Sequence, residues 1–137
     1  MPAPAAAQPP QPVDSPGTRR VLVVEDNPDG LETLLTLLAM LGHEVRGAAD
    51  GGQALERAAS FQPDVVLLDL GLPVMDGFEV ARRLRRDPRM GSVFIAALTG
   101  WGAEGDRQRT AEAGFDAHLT KPVDLAALEG VLSRSTR

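Results

Sequence analysis

The 137-residue sequence contains no cysteine. Disulfides, thiolate nucleophiles and cysteine-based zinc sites are therefore excluded. The chain also lacks an apolar run near the roughly 20 residues that a membrane-spanning helix requires, and it lacks the N-terminal pattern of a secretory signal. Its net charge of −5 argues against a general nucleic-acid or anionic-membrane binder, because such proteins usually carry a basic excess. We therefore expect a cytoplasmic protein with no direct nucleic-acid or membrane partner.

The N-terminal segment differs in composition from the rest of the chain. Residues 1–18 contain six of the eleven prolines, mixed with alanine and glutamine. Such a segment buries too little apolar surface to offset the entropy of ordering it. We predict a disordered Pro/Ala-rich tail or linker over residues 1–18 and a single folded domain after it.

From residue 19 onward, short apolar runs alternate with amphipathic segments. Strands are predicted at residues 21–24, 44–48, 65–68, 93–98 and 115–119, and helices at about residues 28–41, 52–61, 77–86, 104–113 and 125–133. Helix starts are indicated by the capping residues Asn27, Asp50, Asp76 and Asp124. Five strands alternating with five helices predict a parallel sheet with helices on both faces.

Reactive side chains follow four of the predicted strands. Strand 1 is followed by Glu25 and Asp26, strand 3 by Asp69, strand 4 by Thr99 and strand 5 by Lys121. Ligands of parallel α/β sheets bind beyond the carboxyl ends of the strands, so these residues are candidate site residues. If strands 1 and 3 are neighbours, three carboxylates converge, and a cation or a proton must relieve their repulsion. Mg²⁺ suits such a site because it prefers oxygen ligands and needs few carboxylates.

This set of residues is suited to phosphoryl transfer, which requires positioning and neutralisation of the phosphoryl charge. Asp69 is the candidate nucleophile and would form an aspartyl phosphate. Lys121 would neutralise one phosphoryl oxygen, and the Thr99 hydroxyl and the Gly100 N–H would donate to another. The backbone carbonyl of Gly71 is well placed to join the metal ligands.

Four short motifs at the strand ends resemble those of a known family. They are Glu25-Asp26, the run Asp69-Leu70-Gly71-Leu72-Pro73 with Met75-Asp76-Gly77, Leu98-Thr99-Gly100, and Lys121-Pro122. With 30 positions between Asp69 and Thr99 and 22 between Thr99 and Lys121, the chain resembles the receiver domain of two-component response regulators. The resemblance implies that residues 19–137 form a flavodoxin-like, doubly wound sheet of five parallel strands in the order 2-1-3-4-5 with five helices.

The resemblance also implies a mechanism. Asp69 would accept a phosphoryl group from a phosphohistidine on a histidine kinase or phosphotransfer protein, with Mg²⁺ bound. The domain would catalyse only its own phosphorylation and dephosphorylation, and so would not be an enzyme in the usual sense. The Lys121–Pro122 bond would be cis. Thr99 would move toward the phosphoryl group, and the surface of helix 4, strand 5 and helix 5 would signal the change and offer a site for a homodimer.

Three residues depart from the family pattern or extend it. Glu25 stands where an aspartate is frequent, and its longer side chain is expected to reach the metal through water, so Asp26 is the preferred direct ligand. His118 occupies the position of a rotating aromatic; a rotor and an ordinary half-buried strand residue both remain open. Trp101 either packs against helix 4 or shields the phosphoaspartate from water.

Other charged residues are expected to be structural. Arg82, Arg83, Arg85 and Arg86 are interpreted as a solvated face near the C-terminus of helix 3. His43 is interpreted as an ordinary surface residue.

Three other functions are compatible with parts of this pattern. A phosphatase with an aspartyl-phosphate intermediate would need an acid two residues after its nucleophile, where this chain has Gly71. A nucleotide- or flavin-binding domain would need a glycine-rich loop after strand 1, where this chain has acids. A receiver that is never phosphorylated, and acts only through protein contacts, remains a third reading. The cognate kinase and output are open, as is the choice between a single-domain regulator and the terminal receiver of a hybrid histidine kinase.

Overall fold

The computed structural model describes residues 18–90, 92–100 and 107–135. Strands and helices alternate throughout. The strands are β1 (Arg20–Val24), β2 (Glu44–Ala48), β3 (Val65–Asp69), β4 (Phe94–Thr99) and β5 (Ala117–Thr120), and the helices are α1 (Pro28–Met40), α2 (Gly51–Phe61), α3 (Gly77–Arg86), α4 (Arg107–Ala113) and α5 (Leu125–Arg134). These bounds agree with the sequence-based prediction within about two residues at most ends. The predicted tail lies almost entirely outside the described residues, and so does Trp101.

All five strands form one parallel sheet in the order β2-β1-β3-β4-β5. The predicted flavodoxin-like fold is therefore confirmed. The chain reverses its direction of winding after β2, because β3 pairs with the other side of β1. The carboxyl ends of β1 and β3 thus lie side by side, at the position where open α/β sheets bind their ligands.

The sheet is covered on both faces, and each face has its own core. Val21 and Val23 of β1 face α1 and α5, whereas Leu22 and Val24 face α2, α3 and α4. β3 and β4 are buried on both faces along their whole lengths, which explains their continuous apolar sequences. A rigid central sheet of this kind fixes the positions of the side chains at its carboxyl edge.

The predicted N-caps are present at four helices. Asn27 accepts hydrogen bonds from the N–H groups of two residues of α1, and Asp50, Asp76 and Asp124 each accept one from the first turn of α2, α3 and α5. α1 ends at Met40, and Gly42 just beyond it has a φ of +94°, a conformation that favours glycine. Capping side chains therefore mark where four of the loops at the carboxyl edge pass into helices.

The prediction for β5 was two residues early. Gly114 has a φ of +101° and turns the chain after α4, and the Phe115 N–H still bonds to the Thr110 carbonyl. Phe115 then packs edge-on against Phe78 with ring centroids 6.2 Å apart. Regular strand pairing begins only at Ala117, because Phe115 still belongs to the turn after α4 while its side chain packs in the core.

Two surface predictions were wrong. Arg85 is not part of a solvated face: its guanidinium bonds to the carbonyls of Gly114 and Val93 and to Asp116, and so ties α3 to two loops. His43 is half-buried, and its Nδ1 accepts the Arg19 N–H at 2.9 Å. Within the described residues, no helix is long and apolar enough to cross a bilayer.

Candidate functional site

Three carboxylates meet at the carboxyl edge of the sheet. Glu25 and Asp26 directly follow β1, and Asp69 ends β3. One oxygen from each carboxylate lies within 4.8 Å of the other two. Glu25 and Asp69 are buried and Asp26 is exposed, so the group opens to solvent on one side. The sheet thus brings together all three acids that the sequence indicates.

Lys121 lies directly against two of these acids. Its Nζ is 2.6 Å from Glu25 Oε1 and 3.3 Å from Asp69 Oδ2. The Lys121 N–H donates to the Thr99 carbonyl at 2.8 Å, which carries the pairing of β4 and β5 past their ends, and the peptide bond to Pro122 is cis. The ammonium is therefore held between the candidate nucleophile and the first acid.

Burial and the hydrogen bond between Glu25 and Lys121 act in opposite directions on the pKa of each of these two groups. Burial raises the pKa of Glu25 above its usual value, although the hydrogen bonds from Lys121 and from the Asn27 backbone oppose the rise. Burial alone would lower the pKa of Lys121, but the hydrogen bond to Glu25 and the charge of Asp69 outweigh it, and the pKa lies above its usual value. Lys121 is therefore fully protonated near neutral pH and partly balances the acids.

The Asp69 carboxylate is fixed from two sides. The Gly71 N–H donates to its Oδ1 at 3.1 Å, and Lys121 approaches its Oδ2. Behind it, the first residue of α3 is Gly77, whose N–H donates to the Leu70 carbonyl. A β-carbon on Gly77 would lie 2.4 Å from the Asp69 carbonyl oxygen. Glycine is required there because helix α3 starts against the backbone of Asp69, the candidate nucleophile.

Thr99 and Gly100 complete the edge beside Asp69. Thr99 is buried, and its hydroxyl donates to the Leu119 carbonyl across a long 3.5 Å. A hydrogen bond of that length is weak, so the hydroxyl is free to change partner. The Gly100 N–H has no acceptor among the described residues. Both groups are donors that are available to a ligand oxygen.

His118 lies on β5, one strand beyond Thr99. It is half-buried, and its Nε2 is 2.6 Å from the hydroxyl of Thr110 on α4. Thr110 is fully buried, so His118 is anchored to the helix that covers this part of the sheet. The sequence did not indicate this contact, because threonine within a helix carries no signal of a tertiary hydrogen bond.

The donor set fits a hard divalent cation. All three side chains offer carboxylate oxygens, which Mg²⁺ prefers. Both oxygens of Glu25 are already engaged, one by Lys121 and one by the Asn27 N–H at 3.1 Å. Asp26 has no such partner among the described residues and faces solvent. This arrangement favours Asp26 over Glu25 as a direct ligand.

Comparison with known proteins identifies this arrangement. Residues 21–133 match the family model of the response regulator receiver domain. The chain belongs to this family. The DNA-binding dual master transcriptional regulator RpaA of Synechocystis sp. is 40% identical over 124 residues, which are 86% of this chain and 51% of RpaA. The chain thus spans about half the length of that relative.

Two further relatives are matched by this chain over most of their own length. The polar-differentiation response regulator DivK of Brucella ovis is 31% identical over 108 residues, which are 79% of this chain and 88% of DivK. The receiver domain of the sensor histidine kinase PA1611 from Pseudomonas aeruginosa PAO1 has a TM-score of 0.78 and 37% identity, covering 85% of this chain and 96% of that one. A magnesium ion is coordinated in the active-site cleft of that structure. The domain described here is therefore a response regulator receiver domain of two-component signalling.

Proposed function

We propose that this receiver domain is a switch that accepts a phosphoryl group on Asp69. The observation that carries the proposal is the placement of one ammonium, Lys121, against a buried carboxylate that ends a central strand. A carboxylate that is held by a backbone N–H and faced by a fixed cation is oriented for attack on an electrophile of high negative charge. Lys121 then compensates the charge that the phosphoryl oxygens bring into the site.

The proposed donor is a phosphohistidine of a histidine kinase or a histidine phosphotransfer protein. An oxygen of Asp69 attacks phosphorus, the new O–P bond forms as the P–N bond breaks, and the leaving imidazole takes up a proton. Lys121 exchanges part of its contact with Asp69 for a phosphoryl oxygen. The domain supplies this chemistry for itself alone, so we do not propose an external substrate turned over as in a metabolic enzyme.

Mg²⁺ is the proposed cofactor. Asp26, Asp69 and the carbonyl of Gly71 would hold it, with Glu25 contributing through water. When bound, the ion supplies positive charge that offsets the repulsion between the acids and an incoming phosphoryl group. The engagement of both Glu25 oxygens supports the choice of Asp26 over Glu25 as a direct ligand.

The proposed output begins at Thr99. Its hydroxyl would leave the distant Leu119 carbonyl and bond to a phosphoryl oxygen, next to the Gly100 N–H. His118 would respond by leaving Thr110, so that the surface formed by α4, β5 and α5 changes and offers a site for a downstream protein or a homodimer. If His118 is the side chain that rotates in this way, His118→Ala should reduce the spectroscopically measured conformational change of this surface that follows phosphorylation. An unaltered change would exclude His118 from the switch.

Residues 1–18 are proposed as a linker or tail that precedes the receiver domain at residues 19–137. Its prolines favour an extended spacer. Both a single-domain regulator and the terminal receiver of a hybrid histidine kinase agree with this division.

The test is incubation with acetyl phosphate, with and without Mg²⁺, followed by intact mass measurement. We expect a gain of one phosphoryl group that requires Mg²⁺ and is much reduced in Asp26→Asn and Lys121→Ala. A receiver that acts only through protein contacts would show no gain. A phosphatase would instead release phosphate from p-nitrophenyl phosphate with many turnovers, which we do not expect because Gly71 stands where its general acid is needed.

A further inference from the structure

A second cluster of cations lies far from the acid site. The side chains of Arg20, Arg46 and Arg57, together with Ser60 and Phe61, line an open pocket of about 310 Å³ between strand β2 and helix α2. Arg20 is the first residue of β1 and Phe61 the last of α2, so the pocket lies toward the end of the sheet opposite Asp69. The receiver chemistry described above does not use this pocket.

Two of the three guanidinium groups are held in place by an aromatic ring. The guanidinium carbon of Arg20 lies 4.5 Å from the ring centroid of Phe61, and that of Arg46 lies 4.8 Å from it. Arg20 also donates to the Phe61 carbonyl. Stacking and hydrogen bonding restrict both side chains before any ligand arrives, so binding would cost less side-chain entropy than at mobile surface arginines.

The arginines also cover the outer edge of the sheet. β2 is an edge strand. The Glu44 N–H donates to the carbonyl of Arg19, the residue just before β1. Because parallel pairing uses alternate residues, the backbone groups of Val45 and Gly47 point away from β1. Arg46 donates to the Val45 carbonyl and Arg57 to the Gly47 carbonyl, each at 2.8 Å. These two arginines therefore occupy the β2 carbonyls to which an added strand would have to donate its hydrogen bonds. The edge therefore favours a ligand that only accepts hydrogen bonds.

The charges of the cluster are not balanced. Among the described residues, Glu44 is the only carboxylate in ion-pair contact with these arginines, at 3.1 Å from Arg20 and 3.8 Å from Arg46. Arg57 has no carboxylate partner there; its NH1 bonds to Gly47 and to Gln53, while its Nε and NH2 have no acceptor within the described chain. The pocket is thus locally cationic in a chain with a net charge of −5.

We propose that this pocket binds a small polyanion of the di- or triphosphate class. Guanidinium groups match phosphate oxygens in pairs, and Arg57 presents an Nε–NH2 pair that is free for such a contact. The volume admits more than one phosphate group. Phe61 is only 5% exposed, so its ring cannot stack on a nucleobase, and the phosphate groups alone would be recognised, whether of free pyrophosphate or of a nucleotide.

The test is calorimetric titration of the full chain with pyrophosphate at low ionic strength without divalent metal, together with amide chemical shifts. We expect binding that weakens with salt and shifts that cluster in β2 and the C-terminal half of α2. Arg57→Gln and Arg57→Lys should each weaken binding about fivefold or more. Glu44→Gln should tighten it, because a competing carboxylate is removed. Arg83→Gln, which alters an exposed arginine paired with Glu79, is the matched control.

Three results would overturn the proposal. They are absent binding of pyrophosphate, binding unaffected by both Arg57 substitutions, and chemical-shift changes confined to the neighbourhood of Lys121. ADP should bind no more tightly than pyrophosphate; tighter binding of ADP would contradict recognition through phosphate alone. The phosphorylation of Asp69 is measured separately, and its success or failure does not bear on this pocket.

Discussion

Gly77 allows α3 to begin directly behind Asp69, the proposed phosphoacceptor, and replacing Gly77 by alanine should destabilise the domain. The added β-carbon would lie 2.4 Å from the Asp69 carbonyl oxygen and 2.8 Å from the Leu70 α-carbon. Ordinary contacts between such atoms are about 3.5–4 Å. Both neighbours are backbone atoms, so no rotamer change relieves the overlap. Either α3 or the strand end must move by about 1 Å.

The magnitude follows from two opposing terms. Overpacking of this kind costs about 1–3 kcal/mol, occasionally more, and alanine in place of glycine in a helix returns up to about 1 kcal/mol. We expect a net loss of about 1–2 kcal/mol, which lowers the melting temperature by roughly 4–10 °C for a domain of this size. Because the strained atoms belong to Asp69, the rate of phosphorylation by acetyl phosphate should fall as well.

The assay is chemical and thermal denaturation of the wild type, Gly77→Ala and a control. Gly130→Ala is the control, since Gly130 lies within α5 and a β-carbon there meets nothing within 4 Å. The same chemical change should stabilise the domain by about 0.5–1 kcal/mol at that position. If Gly77→Ala were as stable as the wild type, the close approach of α3 to Asp69 would be refuted.

Two further predictions concern Arg85 and His43, which were wrongly predicted from the sequence to be ordinary surface residues. Arg85→Ala should lower the free energy of unfolding by about 1–2 kcal/mol, because the Gly114 carbonyl loses its donors. Substitution of the exposed Arg83 by alanine should change that free energy by less than about 0.5 kcal/mol. Equal effects of the two substitutions in urea titrations would contradict a stabilising role of the hydrogen bonds that Arg85 makes. Burial, and then the charge of Arg19, lower the pKa of His43, so the neutral imidazole is favoured on folding, and stability should fall as pH drops from about 7 through that lowered pKa. His43→Asn keeps an acceptor for the Arg19 N–H and should show a smaller decline between about pH 7.5 and 5.5; an identical decline would remove His43 as its source.

The elements of the fold were readable from the sequence, but their arrangement in the sheet was not. Apolar runs and capping residues predicted five strands and five helices, because hydrophobic periodicity and helix caps are local signals. Which strands are neighbours depends on long-range pairing, and the order came from the family resemblance. Once that order holds, the meeting of Asp26 and Asp69 follows from the strand ends alone.

Contacts that depend on side-chain length and on distant carbonyls were not predictable. Lys121 pairs more closely with Glu25 than with Asp69, because the longer glutamate reaches the ammonium. Arg85 bonds to a carbonyl 29 positions away, a partner with no sequence signature. A run of arginines looks the same whether one of them is buried in such a tie or all are solvated.

The central claim is that Asp69 is the phosphorylated residue, and trapping the acyl phosphate tests it most directly. The protein is incubated with acetyl phosphate and Mg²⁺, reduced with borohydride, which converts a phosphorylated aspartate to homoserine, and mapped by peptide mass spectrometry. We predict homoserine at position 69 in the wild type and none in Asp69→Asn. Homoserine at another acid, or its absence from the wild type under conditions that phosphorylate a control receiver domain, would contradict the account.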